Sequence, residues 1–169
     1  MNKFIQENRT LLLLLFLILV VVLILVFKHK EAKTDPIYDL SKVKIIDIDT
    51  AISLYDDVEP HVYIIGRETC SACQTFMPAV NEIIDKHHIT VYYLDLNSID
   101  RTTPQYEIFK SLLNFNYEYD NKKGTMDTFI GYTPMILISS NHDTIYGSLG
   151  SMTPDVFEII LTEYGIIKE

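Results

Sequence analysis

Residues 61–88 read HVYIIGRETCSACQTFMPAVNEIIDKHH, and the fold turns on how this stretch divides. HVYII, residues 61–65, is dense in β-branched and aromatic residues and predicts a strand. From residue 70 to residue 88 the period changes. Phe76, Met77, Val80, Ile83 and Ile84 recur at spacings that form one helical stripe. The connection between strand and helix is short, so Cys70-Ser71-Ala72-Cys73 falls where the helix begins. The chain has 2 cysteines, and both are in this motif.

A helix N-terminus presents unpaired N–H groups and a partial positive charge, which favours thiolate over thiol. Cys70, at or just outside the first turn, gains most, so its pKa is expected below the free value of about 8.5. Cys73 lies one turn deeper on the same face, where it can close a disulfide with Cys70 and release a bound substrate. A nucleophile with a resolving partner is what thiol–disulfide exchange requires. Two other readings of the motif stand beside this one. Half a zinc site needs two more ligands, and there is no second CxxC. Of the histidines, His87 and His88 sit at the predicted helix C-terminus, where the helix dipole accounts for them. A purely structural disulfide would close a loop of only four residues and constrain the unfolded chain little. No metal site is expected.

Outward from this core, residues 43–49 read as a strand and residues 50–57 as a short helix capped by Asp49 or Thr50. Residues 89–96 (ITVYYLDL) predict another strand. Residues 99–128 form a polar, aromatic insert, helical around 106–113 with Tyr106, Phe109 and Leu113 facing the core, then loop-like through 121–124. Residues 135–139 and 144–148 predict a hairpin across a turn at 141–143. Thr153 caps a last helix with Pro154 at its first position and Val156, Ile159 and Ile160 turned inward. Strand–helix alternation followed by a hairpin and a terminal helix predicts a mixed α/β domain.

The remainder of the 169 residues is of a different kind. Mean hydropathy is +0.14 although the net charge is −9, a clash that points to two unlike parts. Residues 11–27 (LLLLLFLILVVVLILVF) carry no polar side chain; as a helix they span about 25 Å, the short end of a bilayer crossing, and Lys28 and Lys30 extend it by snorkelling. No A-x-A-like cleavage site follows, so an uncleaved single-pass transmembrane anchor is expected. The expected layout is a tail over 1–10, the anchor over 11–27, a linker over 28–42 broken by Pro36, and a domain over 43–169 with its insert at about 99–128. Residues 1–33 hold five Lys/Arg against two acids, net +3, which leaves the rest at net −12. So acidic a domain repels phosphate, and no nucleic-acid partner is expected. The flanking charges do not decide the orientation of the anchor.

Residues 43–165 resemble the thioredoxin family. CSAC follows a β-strand. Pro78 lies five residues after Cys73, where the family has a kinking proline in its active-site helix. Thr133-Pro134 precedes a strand, where the family has its cis-proline, and Gly150 lies sixteen residues beyond, before the last helix. The resemblance implies a central mixed sheet flanked by helices. It also implies a cis Thr133-Pro134 bond packed beside a redox-active Cys70–Cys73 disulfide; the chain has no flavin, haem or nucleotide motif, so no further cofactor is expected. Thr133 and Pro134 would then bind substrate, because a cis X–Pro bond leaves the backbone of residue 133 free to pair with an extended chain.

There are departures. The family's Trp before the first cysteine is Thr69 here, and its Gly-Pro between the cysteines is Ser71-Ala72. Its buried acid six residues before the first cysteine is Ile64, and the neighbouring lysine is Tyr93. Glu68 and Asp95 are the nearest candidates for the proton handling credited to that acid; a solvated surface carboxylate is the other reading of each. With its anchor, insert and GRETCSAC stretch, the chain also resembles the bacteriocin transport accessory group of Gram-positive bacteria.

The expectation is a plasma-membrane thiol–disulfide oxidoreductase with its soluble domain outside the cell. Its partners would be protein thiol or disulfide substrates and a redox partner protein that supplies or removes electrons. The alternative is a non-catalytic accessory or binding module of a secretion system.

Overall fold

The computed structural model describes residues 13–14, 16–21 and 38–168. The chain divides into two compact units, Met1–Asp35 and Pro36–Glu169. In the first, residues 13, 14 and 16–21 are helical with exposed side chains. The rest of the expected anchor, the tail over 1–10 and the linker as far as residue 37 lie outside the described residues. Among the described residues no helix is long and apolar enough to cross a membrane.

The second unit is built on a five-stranded sheet, β1 (Lys44–Ile46), β2 (His61–Gly66), β3 (Val91–Asp95), β6 (Met135–Ser140) and β7 (Asp143–Leu149), in the order β1-β3-β2-β6-β7. The first three are parallel; β6 runs antiparallel to β2, and β7 to β6. Helices α1 (Ile48–Leu54) and α3 (Pro104–Leu112) cover one face, and α2 (Ser71–His87) and α4 (Pro154–Glu163) the other. Strand periodicity of two sorts the core. Val62, Ile64, Val91, Tyr93, Ile136 and Ile138 point to the α2 side, whereas Tyr63, Ile65, Tyr92, Leu94, Met135 and Leu137 point to the α1 side. With both faces covered, these strands read as near-continuous apolar runs.

Several elements differ from the sequence expectation. β1 ends at Ile46, and the cap of α1 is Asp47, whose carboxylate accepts the Thr50 N–H at 2.8 Å, in place of Asp49 or Thr50. The stretch expected to be loop-like is a second, two-stranded sheet, β4 (Asn116–Tyr119) with β5 (Lys122–Thr125). Its two-residue turn, Asp120-Asn121, has φ of 50° and 60°, the twist that matches hairpin strands. In α4 the fully buried residues are Phe157 and Leu161; of the three expected inward, Ile160 is partly buried against the same cluster, while Val156 and Ile159 are exposed. Phe157 packs edge-on against Phe76 of α2, with ring centroids 5.2 Å apart, and this contact sets the rotation of the helix. In α3, Tyr106, Phe109 and the following Leu113 are buried, as their spacing predicts. Residues 38–42, read as the end of a linker, pack on the domain. Tyr38 is buried, and the Asp39 carbonyl accepts the Asn81 side-chain amide.

Candidate active site

The loop from β2 to α2 closes as a turn, with the Cys70 N–H donating to the Arg67 carbonyl at 3.1 Å. Cys70 is the N-cap of α2, and its Sγ accepts the Cys73 N–H at 3.0 Å. A sulfur at that place meets one of the orphan donors of the helix, which stabilises a thiolate once the bond is reduced. Cys70 and Cys73 are joined as a disulfide, Cα to Cα 5.2 Å. Exposure separates them: Cys70 retains 5%, and Cys73 has 0%. An incoming thiolate therefore meets Cys70, and Cys73 is the leaving sulfur. Further along α2, Pro78 carries no N–H, so the Gln74 carbonyl loses its partner one turn ahead.

Opposite the disulfide, Thr133-Pro134 is cis. The Thr133 carbonyl oxygen lies 3.3 Å from Cys70 Sγ. A disulfide sulfur has no proton, so this is a contact; a reduced Cys70 thiol at that position can donate to it. The Pro134 carbonyl accepts the Gly150 N–H at 2.8 Å, and Gly150 has φ +88°, which only glycine adopts without strain. That bond explains the spacing of Gly150 from the proline. Thr133 Oγ1 is buried without a hydrogen-bond partner among the described residues. The preceding Tyr132 is exposed and stands against Tyr119 at the tip of the β4–β5 hairpin, ring centroids 5.7 Å apart.

No protein-family profile and no curated protein matches the chain. Solved structures do. A chain from a structural study of the thiol resolving mechanism in yeast mitochondrial 1-Cys peroxiredoxin, via glutathione/thioredoxin systems, matches with a TM-score of 0.50 and 10% identity, covering 72% of this chain and 94% of that one. Mitochondrial thioredoxin 3 from Saccharomyces cerevisiae, in its oxidised form, matches with a TM-score of 0.50 and 11% identity over 72% of this chain and 94% of its own. Thioredoxin f2 from Chlamydomonas reinhardtii does so with a TM-score of 0.50 and 12% identity over 72% and 95%. The chain has a thioredoxin-like fold. At such identities the likeness concerns the fold, and the chemistry of the site rests on this chain's own residues.

The thioredoxin-like domain brings Cys70, Cys73, Thr133 and Pro134 together. It treats Glu68 and Asp95 differently. Asp95 caps the 3₁₀ turn Leu96–Ser98 through the Asn97 N–H at 2.9 Å, and both carboxylates are partly exposed. Among the described residues, neither hydrogen-bonds to a cysteine. Ile64 is fully buried on the α2 side of the sheet. The polar group on that side is a pair of phenols, Tyr93, which stands in the place of the family's lysine, and Tyr38. Tyr93 Oη and Tyr38 Oη are 2.5 Å apart, and Tyr38 donates to the Arg67 carbonyl at 3.0 Å. Burial raises the pKa of both phenols, and the negative charges of Asp95 and Glu68 add to the rise. Gly66 makes room for this pair, since a Cβ there would lie 2.5 Å from Tyr93 Oη. The available signal was a glycine ending an apolar strand one residue before Arg67. Tyr38, set in a polar stretch, gave no periodic signal.

Among the described residues no cluster of three or more His, Cys, Asp or Glu fits a metal ion. His87 instead pairs with Glu158 at 2.8 Å, and His88 closes α2 in a left-handed conformation.

Proposed function

We propose that this chain is a membrane-tethered thiol–disulfide oxidoreductase acting on protein disulfides. The observation that carries the reading is the Cys70–Cys73 disulfide at the cap of α2, with Cys70 Sγ 3.3 Å from the Thr133 carbonyl beside a cis proline. In the oxidising direction a substrate thiolate attacks Cys70 Sγ, the Cys70–Cys73 bond breaks, and Cys73 departs as a thiolate beneath a mixed disulfide. A second substrate thiolate then attacks its own mixed-disulfide sulfur. The substrate leaves oxidised, and the two electrons remain on Cys70 and Cys73. In the reducing direction Cys70 attacks and Cys73 resolves. Either way a partner protein must remove or return two electrons. Thr133 and Pro134 would orient the substrate, whose extended backbone can pair with that of residue 133. The tether is the apolar run over residues 11–27, which suits a single-pass anchor, and the placement of the domain outside the plasma membrane follows the resemblance to the bacteriocin transport accessory group, not the run itself.

The test replaces Cys73 with Ala in the full-length chain, so that a protein bound at Cys70 is not released. Mixed disulfides identified by mass spectrometry, lost again in Cys70→Ala/Cys73→Ala, are expected. Their absence, with no turnover of any protein disulfide, overturns the redox reading. That result would favour a secretion accessory module of the bacteriocin-export kind, for which the exposed Val156 and Ile159 offer an apolar docking face. Labelling of reduced Cys70 in intact cells by an impermeant thiol reagent checks the orientation. Labelling that appears only after lysis puts the domain inside.

A further inference from the structure

The Tyr38–Tyr93 pair has a direction. Each phenol has one hydrogen. Tyr38 donates its own to the Arg67 carbonyl at 3.0 Å, so across the 2.5 Å contact Tyr93 is the donor and Tyr38 Oη the acceptor. The Arg67 carbonyl also accepts the Cys70 N–H at 3.1 Å, which uses both of its lone pairs. A continuous line of hydrogen bonds thus runs from β3, through the first residues of the domain, to the backbone of the attacking cysteine. Tyr38, Tyr93 and Cys70 are buried on the α2 side in one cluster with Cys73, while Arg67, whose carbonyl links them, is exposed and its bond to Tyr38 part-buried.

The sulfur at the end of this line is balanced between opposing groups. The Cys73 N–H at 3.0 Å favours thiolate, while the Thr133 carbonyl at 3.3 Å favours thiol. A small displacement of the 67–70 turn alters that balance. We propose that Tyr38 and Tyr93 are positioning residues for the dithiol: by holding the Arg67 carbonyl they fix the turn that aims Cys70, and so set its nucleophilicity and the redox poise of the Cys70–Cys73 couple. A phenol titrates at about 10 in water and is protonated at neutral pH, and burial, with the charges of Asp95 and Glu68, pushes both members of the pair higher still. The pair is therefore a donor line and not a base. This inference rests on the oxidoreductase reading above.

The experiment uses the full chain in detergent, equilibrated with reduced and oxidised glutathione, together with the pH dependence of iodoacetamide alkylation of reduced Cys70. In Tyr38→Phe the turn loses its donor and the thiolate its alignment with the Cys73 N–H. Alkylation at neutral pH is expected to slow roughly tenfold, its pH profile to move upward, and the couple to become more reducing by about 30 mV, the equivalent of a tenfold change. Tyr93→Phe leaves Tyr38 bonded to Arg67, so a smaller shift in the same direction is expected. The double variant should not exceed Tyr38→Phe, because the two act in series. Tyr63→Phe is the control, a buried tyrosine on the other face whose hydroxyl bonds Ser139 at 2.9 Å. Loss of stability in Tyr38→Phe like that of the control, with poise and pH profile unchanged, overturns the proposal. Should Tyr38→Phe not fold, an unshifted Tyr93→Phe overturns it alone. A wild-type disulfide that never exchanges with glutathione defeats the oxidoreductase reading, a separate result from variants that match an active wild type.

Discussion

The two faces of the central sheet each bury a tandem of hydroxyls ending on a backbone carbonyl. On the α2 face Tyr93 donates to Tyr38, and Tyr38 to the Arg67 carbonyl. On the α1 face Thr144 donates to the Leu112 carbonyl at 2.6 Å, so Tyr55, 3.0 Å from Thr144 Oγ1, donates to Thr144. The chemistry is alike, and both satisfy groups that burial would otherwise leave costly. The difference is where each ends. Leu112 is the last residue of α3, so the second line staples a helix end to β7. Arg67 belongs to the turn that carries Cys70, so the first line reaches the dithiol. A buried polar network acquires a functional consequence from what its terminal acceptor is attached to, and not from its strength.

Removing a core ring from either face tests this contrast with the largest effect. Phe109→Ala on the α1 face and Phe157→Ala on the α2 face each empty a fully packed site and should cost about 3–5 kcal/mol in urea denaturation. Phe157 touches Phe76 in the helix that begins at Cys70, so only Phe157→Ala is expected to slow Cys70 alkylation as well. Equal slowing in both variants would break the distinction between faces.

Alkaline pH is the next largest lever. Burial pushes the Tyr55 phenol up to about 12, and raises Tyr63 as well. A raised folded-state pKa gives stability that is complete below the unfolded value near 10 and is lost as pH climbs through the folded value. Between about pH 10 and 12 the Tyr55 contribution that disappears is on the order of 2 kcal/mol. Denaturation midpoints at pH 8 and pH 11 read it, and Tyr55→Phe should reduce the loss. At neutral pH that same substitution should cost about 1 kcal/mol and leave the dithiol poise unchanged, in contrast to Tyr38→Phe. A poise that moves in Tyr55→Phe would erase the difference between the two lines.

The smallest effect belongs to the cap of α1. Hydrogen bonding from Thr50 holds the Asp47 carboxyl below the usual carboxylate range. Its contribution is therefore present above the unfolded value near 4 and lost as pH falls through the lower folded value. Asp47→Ala should lower the melting temperature slightly at pH 7 and less at pH 3. A loss as large at pH 3 as at pH 7 would show that the carboxylate is not what stabilises the helix start.

Elements defined by local pattern were legible in the chain. β2, α2 and the 135–149 hairpin announce themselves by β-formers, a 3.6-residue stripe and turn chemistry, and Thr153 caps α4 beside Pro154. The β4–β5 hairpin was not. Its strands are four residues each, charged and largely exposed, so they show no alternation of apolar residues. The inward face of α4 was ambiguous for the opposite reason. Val156, Phe157, Ile159, Ile160 and Leu161 supply apolar groups nearly all round, and packing against Phe76 selects among them.

By itself, then, the amino-acid sequence determined that both thiols share one helix start and that an apolar run precedes an acidic domain, because helix periodicity, capping and hydropathy act over a few neighbouring residues. Only the tertiary structure decided what faces those thiols. The Thr133 carbonyl lies 63 positions from Cys70, and Tyr38 and Tyr93, 55 positions apart, meet over Gly66. Such contacts depend on sheet order and strand register, which no local window contains.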